Sequence, residues 1–273
     1  LNAKHLRHAG IRHEFASIDY CAQNKILLEQ EELVSIAAHH RKLSRFHQPR
    51  LEKEGWTNIF NSILRLNHQI PQLSRDNLKQ IIEKKYRFAG PRALLQLADH
   101  RASSRESGEN PPELLPFEYT FPFGDQNEVQ KIALSLSSDP ISLLRAPTGA
   151  GKTDAALLWA QGQIQNLKAD RLILAMPTRF TANALAVSSA SKLSETGLYH
   201  STSGLFWDNK VLRAYSRLLL TPVTVTTIDH LLLSLTGTEE DHHSIFFNLA
   251  HSALVIDEAD FYDSFTQANI VLL

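Results

Sequence analysis

The run Ala146-Pro147-Thr148-Gly149-Ala150-Gly151-Lys152-Thr153 has the residue types needed to hold a polyphosphate. Gly149 and Gly151 let the backbone curl so that its amides point inward, Lys152 supplies a point charge, and Thr153 offers a hydroxyl to magnesium. Ala146 stands where the general pattern has its first glycine. Further on, Leu254-Val255-Ile256-Asp257-Glu258-Ala259-Asp260 delivers carboxylates at the end of an apolar run. Asp257 is expected to hold Mg2+ through water, and Glu258 to orient and polarise an attacking water. Phosphoryl transfer depends on positioning and charge stabilisation, which such groups provide without a covalent intermediate. Lys152 and Glu258 are therefore the expected catalytic residues. Thr148, Gly149, Gly151, Lys152, Thr153 and Asp257 are expected to bind a nucleoside triphosphate with its Mg2+.

These groups need a parallel sheet to position them. From residue 123 onward, β-rich runs alternate with helical patterns: Ile141 to Arg145 then a helix from Gly151, Arg171 to Met176 then a helix from Thr181, Val223 to Thr226 then a helix from Ile228, and finally Ala253 to Ile256. That alternation predicts a parallel sheet covered by helices on both faces, with ligands at the carboxyl ends of its strands. Before it, residues 106–122 are polar and proline-bearing, the composition of a linker. Residues 1–105 read as all helix, with apolar residues at helical spacing in Ile26-Leu27 to Leu33-Val34-Ile36-Ala37, in Ile59-Ile63-Leu66 and in Ala93-Leu94-Leu97-Ala98. Breaks at Pro49, Gly55, Pro71 and Gly90-Pro91 divide this half into about five helices.

The near-neutral total charge conceals an asymmetry: residues 1–106 hold 18 Lys/Arg against 11 Asp/Glu, and the remainder 10 against 18. A basic first half suits a phosphate backbone, and equally a solvated helical surface. The single Cys21 cannot form an intramolecular disulfide, and no apolar run approaches the roughly 20 residues needed to span a bilayer. A cytoplasmic location without membrane contact is the expectation. Leu1 is not an initiator methionine, which suggests a fragment.

With further segments in order, the two phosphate-site boxes resemble superfamily-two helicases, and among them the CRISPR-associated HD-nuclease/helicases recruited by type I interference complexes. Ala175-Met176-Pro177-Thr178-Arg179-Phe180-Thr181-Ala182-Asn183-Ala184 resembles the family's DNA-contacting segment. Thr226-Thr227-Ile228-Asp229-His230 is similar to its Gly-Thr-Ile-Asp-Gln segment, and Phe261-Tyr262-Asp263 to its aromatic-Asp continuation. The resemblance implies ATP as the nucleotide, Gln130 as the adenine-reading glutamine with Gln126 as competitor, and Thr178, Arg179 and Thr227 as nucleic-acid contacts.

In the helical half, Arg12-His13-Glu14-Phe15-Ala16-Ser17, the pair His39-His40, and Ala98-Asp99-His100-Arg101-Ala102-Ser103 resemble later motifs of the family's HD nuclease domain. Neutral imidazoles and carboxylates bind divalent transition metals, which can clamp an in-line attack on a phosphodiester. By resemblance, His13, His39, His40 and Asp99 are candidate metal ligands, with Thr153 and Asp257 serving Mg2+ in the other half. Adjacent histidines on a regular helix point about 100° apart, so His39 and His40 cannot both face one ion without a helix end or irregular backbone, which favours a two-ion site or one ligand with the other histidine supporting it. His5, His8, His47 and His68 are read as packing or surface residues.

The resemblance therefore implies a partial all-helical HD-type nuclease domain over 1–105, a linker over 106–122 and a partial RecA-like α/β helicase domain over 123–273. The family's upstream His-Asp segment and downstream second RecA-like domain would lie outside the chain. The implied function is an ATP-dependent single-stranded DNA translocase coupled to metal-dependent DNA cleavage, with an RNA-guided type I CRISPR surveillance complex as partner. The rivals are an RNA helicase-like ATPase with an unrelated helical domain, which the Asp257-Glu258-Ala259-Asp260 spelling favours, a non-catalytic nucleic-acid-binding module, and a family member whose nuclease has decayed.

Overall fold

The computed structural model describes residues 13–40, 55–67, 77–108, 110, 113, 116–190, 193, 195–205, 210–236, 242–271 and 273. The expected helix breaks at Pro49 and Pro71, and His5, His8, His47 and His68, lie outside the described residues. The chain divides into two compact units, Leu1–Pro111 and Pro112–Leu273.

In the first unit the described elements are helices α1 (His13–Gln23), α2 (Gln30–Ala38), α3 (Thr57–Asn67) and α4 (Leu78–Glu106). Phe15 and Ile18 of α1, Ala37 of α2, and Phe60, Ile63 and Leu64 of α3 form one buried cluster, with the Phe15 and Phe60 rings edge to face at 6.3 Å. The helical pattern expected to begin at Ile26-Leu27 begins instead at Gln30. Glu29 and Glu32 close a reciprocal capping box there, and both apolar residues upstream are exposed. The break expected at Gly90-Pro91 is absent, because α4 runs straight through Pro91. A proline removes one intrahelical hydrogen bond and costs about 3 kcal/mol. Here Ala89, Gly90 and Ala93 are buried in the same turns, and α4 packs on α2, so close packing of small residues offsets that loss.

The second unit carries α5 (Glu128–Ser135), α6 (Lys152–Gln165), β1 (Arg171–Met176), α7 (Arg179–Ala190), β2 (Thr196–Tyr199), α8 (Lys210–Arg217), β3 (Val223–Thr227), α9 (Ile228–Thr236), α10 (His242–Ala250), β4 (Ser252–Ile256) and α11 (Ser264–Ile270). All four strands are parallel, in the order β2-β3-β1-β4, a RecA-like α/β arrangement. Alternate residues of β1 serve opposite faces: Leu172, Leu174 and Met176 pack with Leu157 and Leu158 of α6 and Ala182 and Ala186 of α7. Ile173 and Ala175 pack with Ile228 and Leu231 of α9 and Ile245 and Leu249 of α10. Each large aliphatic side chain buried this way contributes about 1.5–3 kcal/mol.

One strand expectation fails in this unit. Ile141 to Arg145 forms no strand, and Ile141 and Leu143 are 88% and 90% exposed. No described residue covers those side chains, Pro140 withholds a donor at the entrance, and pairing at an edge would gain a single ladder. In the segment expected as a linker over 106–122, Phe117 and Tyr119 are buried in the α6–α7 face of the sheet. The backbone N–H of Tyr119 donates to Oε1 of Gln161 at 2.7 Å and its hydroxyl to Oδ1 of Asp154 at 2.8 Å. Alternating aromatic residues among prolines here make a strap across α6. Strand β2, only four residues long, has no counterpart in the sequence expectations.

The loop after α5 is also bound to α6: Nε2 of Gln163 donates to the Asp139 carbonyl at 2.8 Å, and the Lys168 ammonium donates to the Ser138 carbonyl. Gly162 lies at this contact, where an added Cβ would overlap the Ser137 side chain. Glycine-to-alanine in a helix interior ordinarily gains up to about 1 kcal/mol. Gly162→Ala is instead expected to destabilise, because overpacking costs about 1–3 kcal/mol. Urea unfolding checks this; a higher midpoint in the variant would contradict the close packing of α5 on α6.

Candidate functional site

The phosphate loop is built from both sides. Gly149 has φ +81° and Gly151 φ +76°, conformations that side chains with Cβ resist. A Cβ on Gly151 would also lie 2.6 Å from Nε2 of Gln130. Behind the loop, Asn127 caps α5. Its Oδ1 accepts from the Gln130 backbone N–H at 3.0 Å, while Oε1 of Gln130 accepts from the Asn127 backbone N–H at 2.9 Å. The Asn127 side-chain amide then donates to the Ala150 carbonyl at 3.1 Å. Gln130, 5% exposed, is thus packed against the loop. Its Asn-x-x-Gln spacing is a capping signal present in the sequence, and Asn127 is a residue that sequence reasoning missed.

The Lys152 ammonium donates to the carbonyls of Ala146 (3.0 Å) and Pro147 (3.1 Å), which lie in the loop that a triphosphate would line. Thr148 and Thr153 are exposed beside it. At the carboxyl end of β4, the Asp257 N–H donates to the Ala175 carbonyl of β1 at 3.0 Å, which extends the ladder through the acidic box. Glu258 follows with φ +51°, and its N–H donates to Oδ1 of Asp257 at 2.9 Å. Tyr262, named above only within the aromatic-Asp continuation, is 8% exposed, and its hydroxyl has no hydrogen-bond partner among the described residues. Burial, and then the nearby carboxylates of Asp257, Asp229 and Glu258, raise its pKa well above the ordinary phenol value.

The expected nucleic-acid contacts lie on this same edge. Thr178 caps α7: its Oγ1 accepts from the Thr181 N–H at 3.1 Å and lies 2.9 Å from the Thr181 hydroxyl. Arg179 is exposed and donates from NH1 to Oγ of Ser201 at 3.3 Å. Thr227 is buried at the end of β3. Parallel pairing sets Met176 opposite Thr227 and Ala175 opposite Ile256, so Thr178, Thr227 and Asp257 sit together at the carboxyl ends of β1, β3 and β4.

In the first unit, His13, His39, His40 and Asp99 bring one ligand atom each to within 4.8 Å of one another. Nε2 of His13 lies 3.3 Å from Nε2 of His39 and 2.8 Å from Nε2 of His40. Nε2 of His40 lies 3.7 Å from Oδ2 of Asp99. The His39–His40 adjacency is resolved by a helix end: α2 stops at Ala38, His39 is its C-cap, and the two rings approach to 4.0 Å. The Ile36 carbonyl lies 2.7 Å from Nδ1 of His39, so Nδ1 carries the proton and the Nε2 lone pair faces the cluster. Burial pushes the His39 and His40 pKa values down, which keeps both imidazoles neutral and able to ligate. Tetrahedral ligands at about 2.05 Å from one ion stand about 3.3 Å apart, close to the His13–His39 spacing, so these four residues could hold a metal ion. Buried Glu14 lies 4.0 Å from Nδ1 of His13 and adds negative charge behind it.

Comparison with known proteins agrees with the second unit. The chain is 31% identical over 152 residues to a putative CRISPR-associated nuclease/helicase Cas3 of Methanocaldococcus jannaschii, an alignment covering 50% of this chain and 21% of that protein. It is 30% identical over 154 residues to the CRISPR-associated endonuclease/helicase Cas3 of Escherichia coli, covering 46% of this chain and 17% of that one. The chain thus spans about a fifth of the length of these relatives. No solved structure matches it. The DEAD/DEAH box helicase model matches residues 125–271, which hold the phosphate loop, the strand-end threonines and the acidic box. The chain belongs to the DEAD/DEAH box helicase family.

Proposed function

We propose that this chain is part of an ATP-dependent single-stranded DNA translocase coupled to metal-dependent DNA cleavage, acting in CRISPR interference. The observation that carries this reading is one chain holding both a DEAD/DEAH helicase domain and a three-histidine, one-aspartate cluster. A helicase domain alone would serve an RNA helicase equally well; the cluster favours the nuclease pairing. In this reading 1–105 is an HD-type nuclease domain and 123–273 a first RecA-like domain. Relatives bearing the nuclease/helicase name over the matched half support the assignment. Target choice would come from an RNA-guided type I surveillance complex, because backbone contacts bind without sequence preference. No described helix is long and apolar enough to cross a membrane.

In the nucleotide site, Lys152 and the loop amides would bind the phosphates, Thr153 and Asp257 would hold Mg2+, and Glu258 would orient the attacking water. A bound Mg2+ would supply neutralisation of the charge on the phosphates. Thr178 fixes the start of α7, and from there Arg179 reaches a phosphate of the bound strand. In the helical unit, His13, His39, His40 and Asp99 would hold transition-metal ions. Such ions polarise a phosphodiester and lower the pKa of the attacking water.

Fluorescence anisotropy with labelled oligodeoxythymidylate and with oligouridylate of equal length tests the substrate class. Tighter DNA binding that responds to an ATP analogue is expected; preference for RNA would favour the RNA-helicase reading. Lys152→Ala should weaken the ATP analogue by about tenfold or more through loss of a charge-assisted contact. Glu258→Gln should leave that affinity within about twofold, since the carboxylate acts on the water and not on the phosphates.

Mn2+ binding, read from loss of the free-ion electron paramagnetic resonance signal, should fall by about tenfold or more in His13→Ala and in Asp99→Ala. A chain that takes up no Mn2+ would leave an ATPase whose helical unit serves another purpose. Without metal, the depressed pKa values of His39 and His40 mean that the unfolded chain takes up protons first as pH falls. The linked stability is fully present above the ordinary imidazole value of 6.5 and is lost below it. Thermal unfolding in chelator should therefore lose stability between about pH 7.5 and pH 5, with a shallower slope in the His39→Gln/His40→Gln double variant.

A further inference from the structure

We infer that His200 is a positioning residue that locks Arg179 in place for contact with a nucleic-acid phosphate, an inference that rests on the DNA-binding reading above. His200 follows β2 directly, is 3% exposed, and has both ring nitrogens engaged. Nδ1 accepts from the Thr202 backbone N–H at 3.2 Å, with the Thr202 hydroxyl at 3.3 Å. A nitrogen accepting a backbone N–H carries no proton, so Nε2 bears it and donates to Oδ1 of Asn183 at 2.8 Å. The ring thus joins the turn 200–202 to α7 through one tautomer. Burial and the neighbouring Arg179 charge both hold the ring neutral, consistent with that tautomer.

Asn183 lies one helical turn after Arg179 on α7, so both project from the same side of the helix. Arg179 reaches the residue next to His200, donating to Ser201 Oγ at 3.3 Å. The two links differ in strength. The Asn183–His200–Thr202 link is part-buried and runs through a buried ring, whereas the Arg179–Ser201 bond is long and exposed, and by itself too weak to hold a guanidinium. Arg179 is therefore held only while His200 keeps Ser201 in register with α7. One NH1 bond to Ser201 leaves the remaining guanidinium donors for a phosphate, and an arm already ordered loses less side-chain entropy on binding. Nothing in the sequence marks His200, which follows Tyr199 and precedes the small polar run Ser201-Thr202-Ser203.

The test is a set of anisotropy titrations of the full chain with fluorescein-labelled oligodeoxythymidylate, with ATP-analogue binding measured in parallel. His200→Ala is expected to weaken DNA binding by about threefold to tenfold, the range for freeing one ordered side chain. The ATP analogue should bind unchanged. His200→Gln, which keeps one donor and one acceptor, should restore DNA affinity to within about twofold. Asn183→Ala should match His200→Ala, and provides the measurement should that variant fold poorly. In an Arg179→Ala background, His200→Ala should add no further loss, because its effect passes through the arginine. Full loss in that background, or His200→Ala binding as tightly as the unsubstituted chain, overturns the inference. Failure of the unsubstituted chain to bind the oligonucleotide overturns the DNA-binding reading itself.

Discussion

The parallel pairing of β1 with both β3 and β4 is the constraint on which the second unit depends. Its register sets Met176 opposite Thr227 and Ala175 opposite Ile256, so three strands end level. The residues following those ends then share one edge without touching in sequence: Thr178 and Arg179 after β1, Thr227 at the tip of β3, and Asp257 and Glu258 after β4. A slip of one residue would exchange Ile173 and Ala175 with Leu172 and Leu174 between the two faces, and side chains of different size and shape would no longer fit the layers packed against them. The burial that stabilises the sheet is therefore also what aligns the site.

Around that edge, small polar side chains do the local fixing. Asn127 and Gln130 satisfy each other's backbone at the start of α5 and then grip the phosphate loop at Ala150 and Gly151. Thr178 uses its hydroxyl on the first turn of α7. His200 ties that helix to the end of β2. Each link satisfies a backbone or side-chain group that burial would otherwise leave without a partner, and each removes freedom from a loop that must meet phosphate groups.

The helical unit follows a different economy. Its cluster needs a helix to stop. On a continuing α2, His39 and His40 would diverge; ended at Ala38, they converge on His13, with Asp99 presented from the long α4. That α4 survives Pro91 shows how far packing of small residues can override a local breaker, since Ala89, Gly90 and Ala93 admit a neighbour where larger side chains would not.

Much of this was legible in the residues alone. Glycines that can adopt positive φ, a lysine and threonine at a helix start, carboxylates after an apolar run, and β-rich segments between helical ones all carry local signals, and the parallel sheet followed from their alternation. The pairing of His13, His39, His40 and Asp99 came from resemblance, because no local rule brings together residues so far apart in the chain. Only the tertiary structure decided the rest. It buried the aromatic strap of Phe117 and Tyr119 and left Ile141 to Arg145 unpaired, since burial and edge pairing depend on what else lies alongside. It also gave both ring nitrogens of His200, one of thirteen histidines, hydrogen-bond partners. Side-chain chemistry is written residue by residue, but whether an imidazole meets an amide, a carbonyl or another imidazole depends on contacts between distant parts of the chain.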